Sequence, residues 1–224
     1  LMSDLLKKAI NFHQENRLDD AKKIYKTIIE DQPNNFEALN FLGILSCQVN
    51  DFSDGLTYLN RAIVLKPNQA GLHCNKGSAL FSLNYFKEAI ESYNRAILLK
   101  PKLTDAYFNK GNALEKINNL KEAVKNYDRA IKLNSNLVGA YINKGNALKN
   151  LKKIDSAIDN YKKAILIRSD LKSINWNLSI VYLLDGQLEK GWQYYEYRWL
   201  KTDFTSKKKN FKQPVWLGNF SIKN

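Results

Sequence analysis

Apolar positions along the opening of the chain recur at three- and four-residue intervals: Leu5, Leu6, Ala9 and Ile10, then Ala21, Ile24, Tyr25 and Ile28. This spacing puts them on one face of a helix, twice, and predicts two amphipathic helices separated by a polar break. Ser3 or Asp4 is placed to cap the first helix, and Pro33 closes the second. The same alternation then returns along the chain. Asp105–Leu137 overlays Gly139–Leu171 when shifted forward by 34 residues, and Gly71–Leu103 when shifted back by as much. A fixed period of this length means stacked copies of one helix–turn–helix unit.

The units run 2–35, 36–69, 70–103, 104–137 and 138–171. Small residues recur at fixed places: Gly77, Ala89 and Ala96; Gly111, Ala123 and Ala130; Gly145, Ala157 and Ala164. They mark where the two helices of a unit cross closely. Tyr93, Tyr127 and Tyr161, with Ile97, Ile131 and Ile165, fill the seam to the following unit. No unit can bury its apolar face alone, so stacking makes the core. The second unit has Gly55 where the others have alanine, which keeps the close approach. The fourth and fifth units have Ser135 and Ser169 where earlier ones have the closing proline, and serine is expected to cap the next helix there.

The spacing of Gly, Ala, Tyr and Ala in these units resembles the tetratricopeptide (TPR) repeat. The resemblance covers most of the chain. It implies an all-α, right-handed superhelical solenoid of antiparallel helix pairs, with about five full repeats and a divergent sixth. It also implies a concave groove lined by the first helix of each repeat, with a protein or extended peptide as partner.

Asn75, Asn109, Asn143 and Asn177 recur at the sixth position of four successive first helices. On the groove face they form a ladder of amides, each able to donate to and accept from the backbone of an extended peptide. Asn112 and Asn146, three residues further on, extend the polar strip, and Phe81, Phe108 and Trp176 flank it with apolar surface. The competing reading is that these amides bond neighbouring backbone and merely suit the repeat. Phe41 replaces the asparagine in the second unit, so the ladder begins at the third. The AYxNxGNAL motif at Ala106–Leu114 and Ala140–Leu148 resembles the repeats of O-linked N-acetylglucosamine transferases, whose asparagine ladders hold substrate peptides.

The sixth unit, 172–201, is in register through its first helix, Lys172 to Leu184. Its second helix turns aromatic, with Trp192, Tyr194, Tyr195, Tyr197 and Trp199. Either this helix seals the end of the solenoid, or Trp192, Tyr195 and Trp199 form a docking face for another domain. The remainder, 202–224, lacks helical periodicity and is read as an extended tail or linker. GWQYYEYRW (Gly191–Trp199) followed by QPVWLGNF (Gln213–Phe220) resembles the junction of bacterial TPR proteins that continue into a glycosyltransferase-like domain. The resemblance implies a substrate-recruiting region; a non-enzymatic, self-associating assembly scaffold, joined through the solenoid ends, is the alternative.

Composition narrows the partners. The net charge is +13, but 29 of the 35 basic residues are lysine. Arginine, the residue suited to bidentate phosphate recognition, is scarce, which argues against nucleic acid. No run of 18 apolar residues is present, so no membrane-spanning helix is expected. The first residues lack the apolar core and cleavage site of a secretory signal. Cys47 and Cys74 have no metal-site spacing, and two free thiols fit a reducing, cytoplasmic location. His13 and His73 lie in different repeats without a nucleophile pattern, and His73 is expected at a packing position. Lys76, Lys110 and Lys144 recur with their repeats and are expected on a solvated edge. The fifth places of the first helices, Leu6, Asn40, Cys74, Phe108, Ile142 and Trp176, hold no lysine for a carboxylate clamp. Neither a catalytic constellation nor a cofactor or metal site is expected.

Overall fold

The computed structural model describes residues 2–170 and 172–197. Among them are twelve α-helices and no strand. The chain divides into two compact units, residues 1–117 and 118 onward. The first holds α1 (Met2–Gln14), α2 (Leu18–Asp31), α3 (Phe36–Gln48), α4 (Phe52–Leu65), α5 (Ala70–Ser82), α6 (Phe86–Leu99) and α7 (Thr104–Lys116). The second holds α8 (Leu120–Leu133), α9 (Val138–Asn150), α10 (Ile154–Ile167), α11 (Ser173–Leu184) and α12 (Leu188–Tyr195). Inside each unit, consecutive helices pack on one another.

Both cores are built at the positions the period marks. In the first, Ala9, Ala21, Tyr25, Leu39, Leu42, Ala62, Ala89, Tyr93 and Ala96 are essentially inaccessible, as are Ala157, Tyr161, Ala164 and Leu178 in the second. The crossings leave no slack. A Cβ added to Gly77 would sit 2.6 Å from Cε1 of Tyr93, and one added to Gly145 would sit 2.7 Å from Cε1 of Tyr161. At Gly55 the same atom would meet Cys47 Sγ at 2.5 Å, so the glycine makes room for that thiol. In the sixth repeat the buried Ser179 hydroxyl donates to the Gly191 carbonyl across the helix pair, at 2.9 Å.

The turn inside each repeat has a feature the apolar pattern does not reveal. Asn16, Asn50, Asn84, Asn118, Lys152 and Gly186 all adopt positive φ, between 59° and 76°. Each stands two residues past the first helix, in the left-handed conformation that ends helices and that asparagine and glycine tolerate best. Lys152 is the one side chain of the series without that tolerance.

Loops between repeats are closed by side chains reaching over them. Arg61 donates to the Pro33 carbonyl at 2.6 Å, and Arg95 to Asn68 Oδ1 at 3.4 Å. His73 Nε2 donates to the Pro67 carbonyl at 2.8 Å, and Tyr107, one period later, donates to the Pro101 carbonyl at 3.4 Å. His73 is therefore a loop latch, half-exposed, rather than the packing residue expected. The serine caps are also corrected: the residues before α9 and α11 are Leu137 and Lys172, and neither helix has a side-chain cap. Asn134 takes over at the first break, its Oδ1 accepting from the Asn136 N–H at 3.0 Å. At the second, Arg168 grips Asp170 at 3.2 and 3.0 Å and holds its carboxyl below the usual range. At the N-terminus, α1 begins at Met2, which puts Ser3 and Asp4 within its first turn. A short side chain in an extended cap is found instead at Asn35, which accepts from the Ala38 N–H at 3.0 Å.

Candidate ligand-binding clefts

The recurring asparagines are distributed over the two units: Asn75 on α5 and Asn109 on α7 in the first, Asn143 on α9 and Asn177 on α11 in the second. All four are half-buried. A half-buried amide keeps some access to water, and its partners within the fold show how far it is already committed. Asn75 and Asn177 have no hydrogen-bond partner among the described residues. Asn109 makes one weak bond, from Nδ2 to Ser78 Oγ at 3.5 Å, while Asn143 is bonded within the fold. Asn146 accepts from the Tyr161 hydroxyl at 2.7 Å, so one lone pair of its oxygen is committed to the repeat, while its N–H pair and second lone pair remain for a ligand. At the place of the missing asparagine, Phe41 stacks on Tyr25 with ring centroids 5.9 Å apart.

Two adjoining clefts open in the first unit where successive first helices meet. One, of about 300 Å³, is lined by Ile44, Cys47, Gln48, Phe52, Asn75, Ser78 and Ser82. Its neighbour, of about 140 Å³, is lined by Ser78, Phe81, Ser82, Tyr93, Asn109 and Asn112. Helical spacing explains the lining: residues three, four and seven apart, such as Asn75, Ser78 and Ser82, share one face of α5.

Polar groups in the walls are tied down in a consistent order. The Ser78 hydroxyl donates to the Cys74 carbonyl at 3.2 Å, and its oxygen faces the Tyr93 hydroxyl at 3.3 Å and the Asn109 amide. One hydroxyl proton cannot serve two acceptors, so Tyr93 donates to Ser78. Burial pushes the Tyr93 hydroxyl well above its usual range, only partly offset by its contact with Ser78, and so keeps it protonated and able to donate. Gln48 Oε1 accepts from His13 Nε2–H at 2.6 Å, leaving its N–H pair for the cleft side. Burial, reinforced by Asp51, raises the Cys47 thiol. Both clefts are thus walled by neutral groups.

Other expected residues fall as follows. Phe81 lines the smaller cleft and packs edge-on against Phe86 at 5.4 Å. Phe108 stands on α7, half-buried and engaged within the fold. Trp176 packs against Tyr195 at 5.3 Å, and Tyr195 against Trp192 at 4.8 Å, so these three rings form one half-buried aromatic cluster in the sixth repeat. Trp199 lies outside the described residues, as does the segment from 202 to 224. Lys144, expected on a solvated edge with its stem packed, is one-fifth exposed at 20%, and its Nζ pairs at 2.6 Å with Oδ1 of Asp128, which is itself half-exposed. The period did not single out Ser78, Ser82, Gln48 or Cys47, though Ser78 and Ser82 follow Asn75 at the offsets of one helical face. No group of three or more His, Cys, Asp or Glu converges among the described residues, and no helix among them is long and apolar enough to cross a membrane.

Comparison with known proteins agrees with this architecture. Signatures described as tetratricopeptide or TPR repeat match residues 6–70, 77–118, 104–137 and 138–171. No curated protein sequence matches the chain. Among solved structures, MamA is 26% identical with a TM-score of 0.68, over 72% of this chain and 94% of that one. YrrB, described as a TPR protein with an unusual peptide-binding site, is 20% identical with a TM-score of 0.66, over 77% of this chain and 89% of its own. PilF of Pseudomonas aeruginosa is 14% identical with a TM-score of 0.74, over 86% and 88% respectively.

Proposed function

Since the chain belongs to the tetratricopeptide repeat family, whose signatures account for residues 6–70 and 77–171, we propose that it binds an extended polypeptide along its first helices. The carrying observation is Asn75: half-buried on the wall of a cleft of about 300 Å³, with no hydrogen-bond partner among the described residues. An amide not committed to the fold, and still open to the cleft, is free to pair with a ligand. An extended backbone offers an N–H and a C=O together, and an amide side chain answers both. Each such bond contributes about 0.5–1.5 kcal/mol. Asn177 in the second unit likewise has no hydrogen-bond partner among the described residues, and Asn109 retains its oxygen and one N–H. YrrB supports the reading, as a relative in fold described by its peptide-binding site.

The aromatic helix of the sixth repeat favours a further reading, that this is the recruiting portion of a glycosyltransferase-like protein. It rests on the likeness of Gly191–Trp199 and Gln213–Phe220 to such junctions, and determining the reading frame beyond Asn224 tests it directly. Binding itself is tested by pull-down from the source cell's lysate with the wild type and the Asn75→Ala/Asn109→Ala/Asn143→Ala/Asn177→Ala variant, matched for helicity and melting. Loss of the bound proteins in the variant supports a ligand-binding role for these amides. The same proteins retained on both would make the amides structural, and sedimentation would then ask whether the chain self-associates as a scaffold.

A further inference from the structure

Resting on the peptide-binding reading, we infer that the first unit selects its ligand by side chain: the larger cleft seats an uncharged apolar side chain, and the smaller one a small hydroxyl- or amide-bearing side chain about three residues away. Backbone-directed asparagines alone would carry no side-chain preference, so the preference must come from the walls between them.

The walls differ in chemistry. Ile44 and Phe52, with the protonated Cys47 thiol, give the larger cleft its apolar surface, and the polar Gln48, Asn75, Ser78 and Ser82 complete its lining. The smaller cleft replaces Ile44 with Ser78 and the Ser78 position with Asn112 at the same repeat places, so every side chain that lines it except Phe81 carries a hydroxyl or an amide. Its volume, about 140 Å³ against about 300 Å³, limits it to a smaller group. No carboxylate, ammonium or guanidinium lines either cleft. A charged ligand side chain placed there would lose hydration with no counter-charge to replace it, which is strongly unfavourable. Charge complementarity therefore calls for a neutral segment, although the chain as a whole is basic.

The spacing follows from geometry. The clefts share Ser78 and Ser82, so they adjoin across α5. Neighbouring helix axes lie about 8–10 Å apart, and a chain extended in the polyproline II conformation advances about 3.1 Å per residue and returns to the same face every third residue. Adjoining clefts are then reached by side chains about three residues apart.

The test is selection of a phage-displayed library of random linear peptides on the immobilised whole chain. Selected peptides are expected to lose binding to Asn75→Ala/Asn109→Ala, and to share an aliphatic or aromatic residue about three positions from Ser, Thr, Asn or Ala. Changing that apolar residue to alanine should weaken binding about tenfold or more, the effect of exposing one large apolar side chain. The same selection on Ile44→Lys should exchange the apolar preference for Asp or Glu; if that variant melts early, Gln48→Lys, at an exposed position, reads the same exchange. Peptides that depend on the asparagines but share no apolar position, or carry a charge there, overturn this inference and leave the backbone reading standing. Peptides indifferent to the asparagine changes, or no selected peptides at all, overturn the backbone reading and this inference with it.

Discussion

Lys152 offers a sharp test of how the repeats are terminated, because its exposed side chain makes no ion pair or hydrogen bond among the described residues, so the backbone conformation stands alone. Its φ of 60° matches the 59–64° of the asparagines at the equivalent places. Holding an ordinary L-residue in the left-handed region costs about 1–2 kcal/mol. Lys152→Gly removes that cost but widens the unfolded ensemble, which gives back about 0.4–1 kcal/mol. The net expectation is a gain of about 0.5–1 kcal/mol, or a melting point higher by about 1–4 °C for a chain of this size. Lys152→Asn should gain in the same direction, whereas Lys152→Ala keeps the strained backbone and should gain little. Thermal melting followed by circular dichroism, with urea midpoints as the second reading, measures all three. If Lys152→Ala stabilises as much as Lys152→Gly, the benefit comes from removing a long charged side chain, and the account of the turn is wrong.

Three further expectations concern packing and ionisation. Gly145→Ala should destabilise by about 1–3 kcal/mol, because the new methyl meets Tyr161 at 2.7 Å and the buried ring has no room to withdraw; an unchanged urea midpoint would show the crossing is looser than described. Ser46 is fully buried with no partner for its hydroxyl among the described residues, so Ser46→Ala should stabilise the fold by about 1 kcal/mol, read as a higher urea midpoint. Burial, with a smaller contribution from Asp105, pushes the Cys74 thiol up to about 11. The fold therefore favours the neutral thiol: stability is unaffected below the thiol's ordinary value, roughly 8.5, and declines as pH rises from there through about 11. Cys74→Ala should shrink that decline, and identical alkaline profiles for both proteins would contradict it.

Much of this fold is legible because a repeat states its rule several times over. Gly77 and Gly145 recur where Tyr93 and Tyr161 press against the helix, and so a period found in letters is a packing contact found in space. What escaped reading was of two kinds. The turn residues Asn16, Asn50, Asn84 and Asn118 recur as regularly as the groove asparagines, but their backbone conformation carries no apolar signal, and Lys152 and Gly186 interrupt the series. Loop closures escaped because they depend on reach: Arg61, Arg95 and His73 hold carbonyls or amides of the preceding break, and a lysine-rich composition says nothing about which cation turns inward. In the clefts the asparagines drew attention by recurrence, while Ser78, Ser82 and Gln48 form the walls of particular repeats and so do not recur. Periodicity points to the shared part of a repeat protein's surface, and individuality has to be read from packing.

If amides on the first helices hold a ligand's backbone, one amide and one backbone N–H of the ligand should be energetically coupled. Isothermal titration of a peptide taken from a captured protein, against the wild type and Asn75→Ala, tests it most directly, with a copy of the peptide N-methylated at successive backbone positions as the second titrant. The account predicts a loss of about two- to tenfold in affinity for Asn75→Ala, corresponding to one hydrogen bond. It also predicts that one N-methylated position weakens binding to the wild type but adds nothing further in the variant. Full affinity in Asn75→Ala, or equal sensitivity to N-methylation in both proteins, would contradict it.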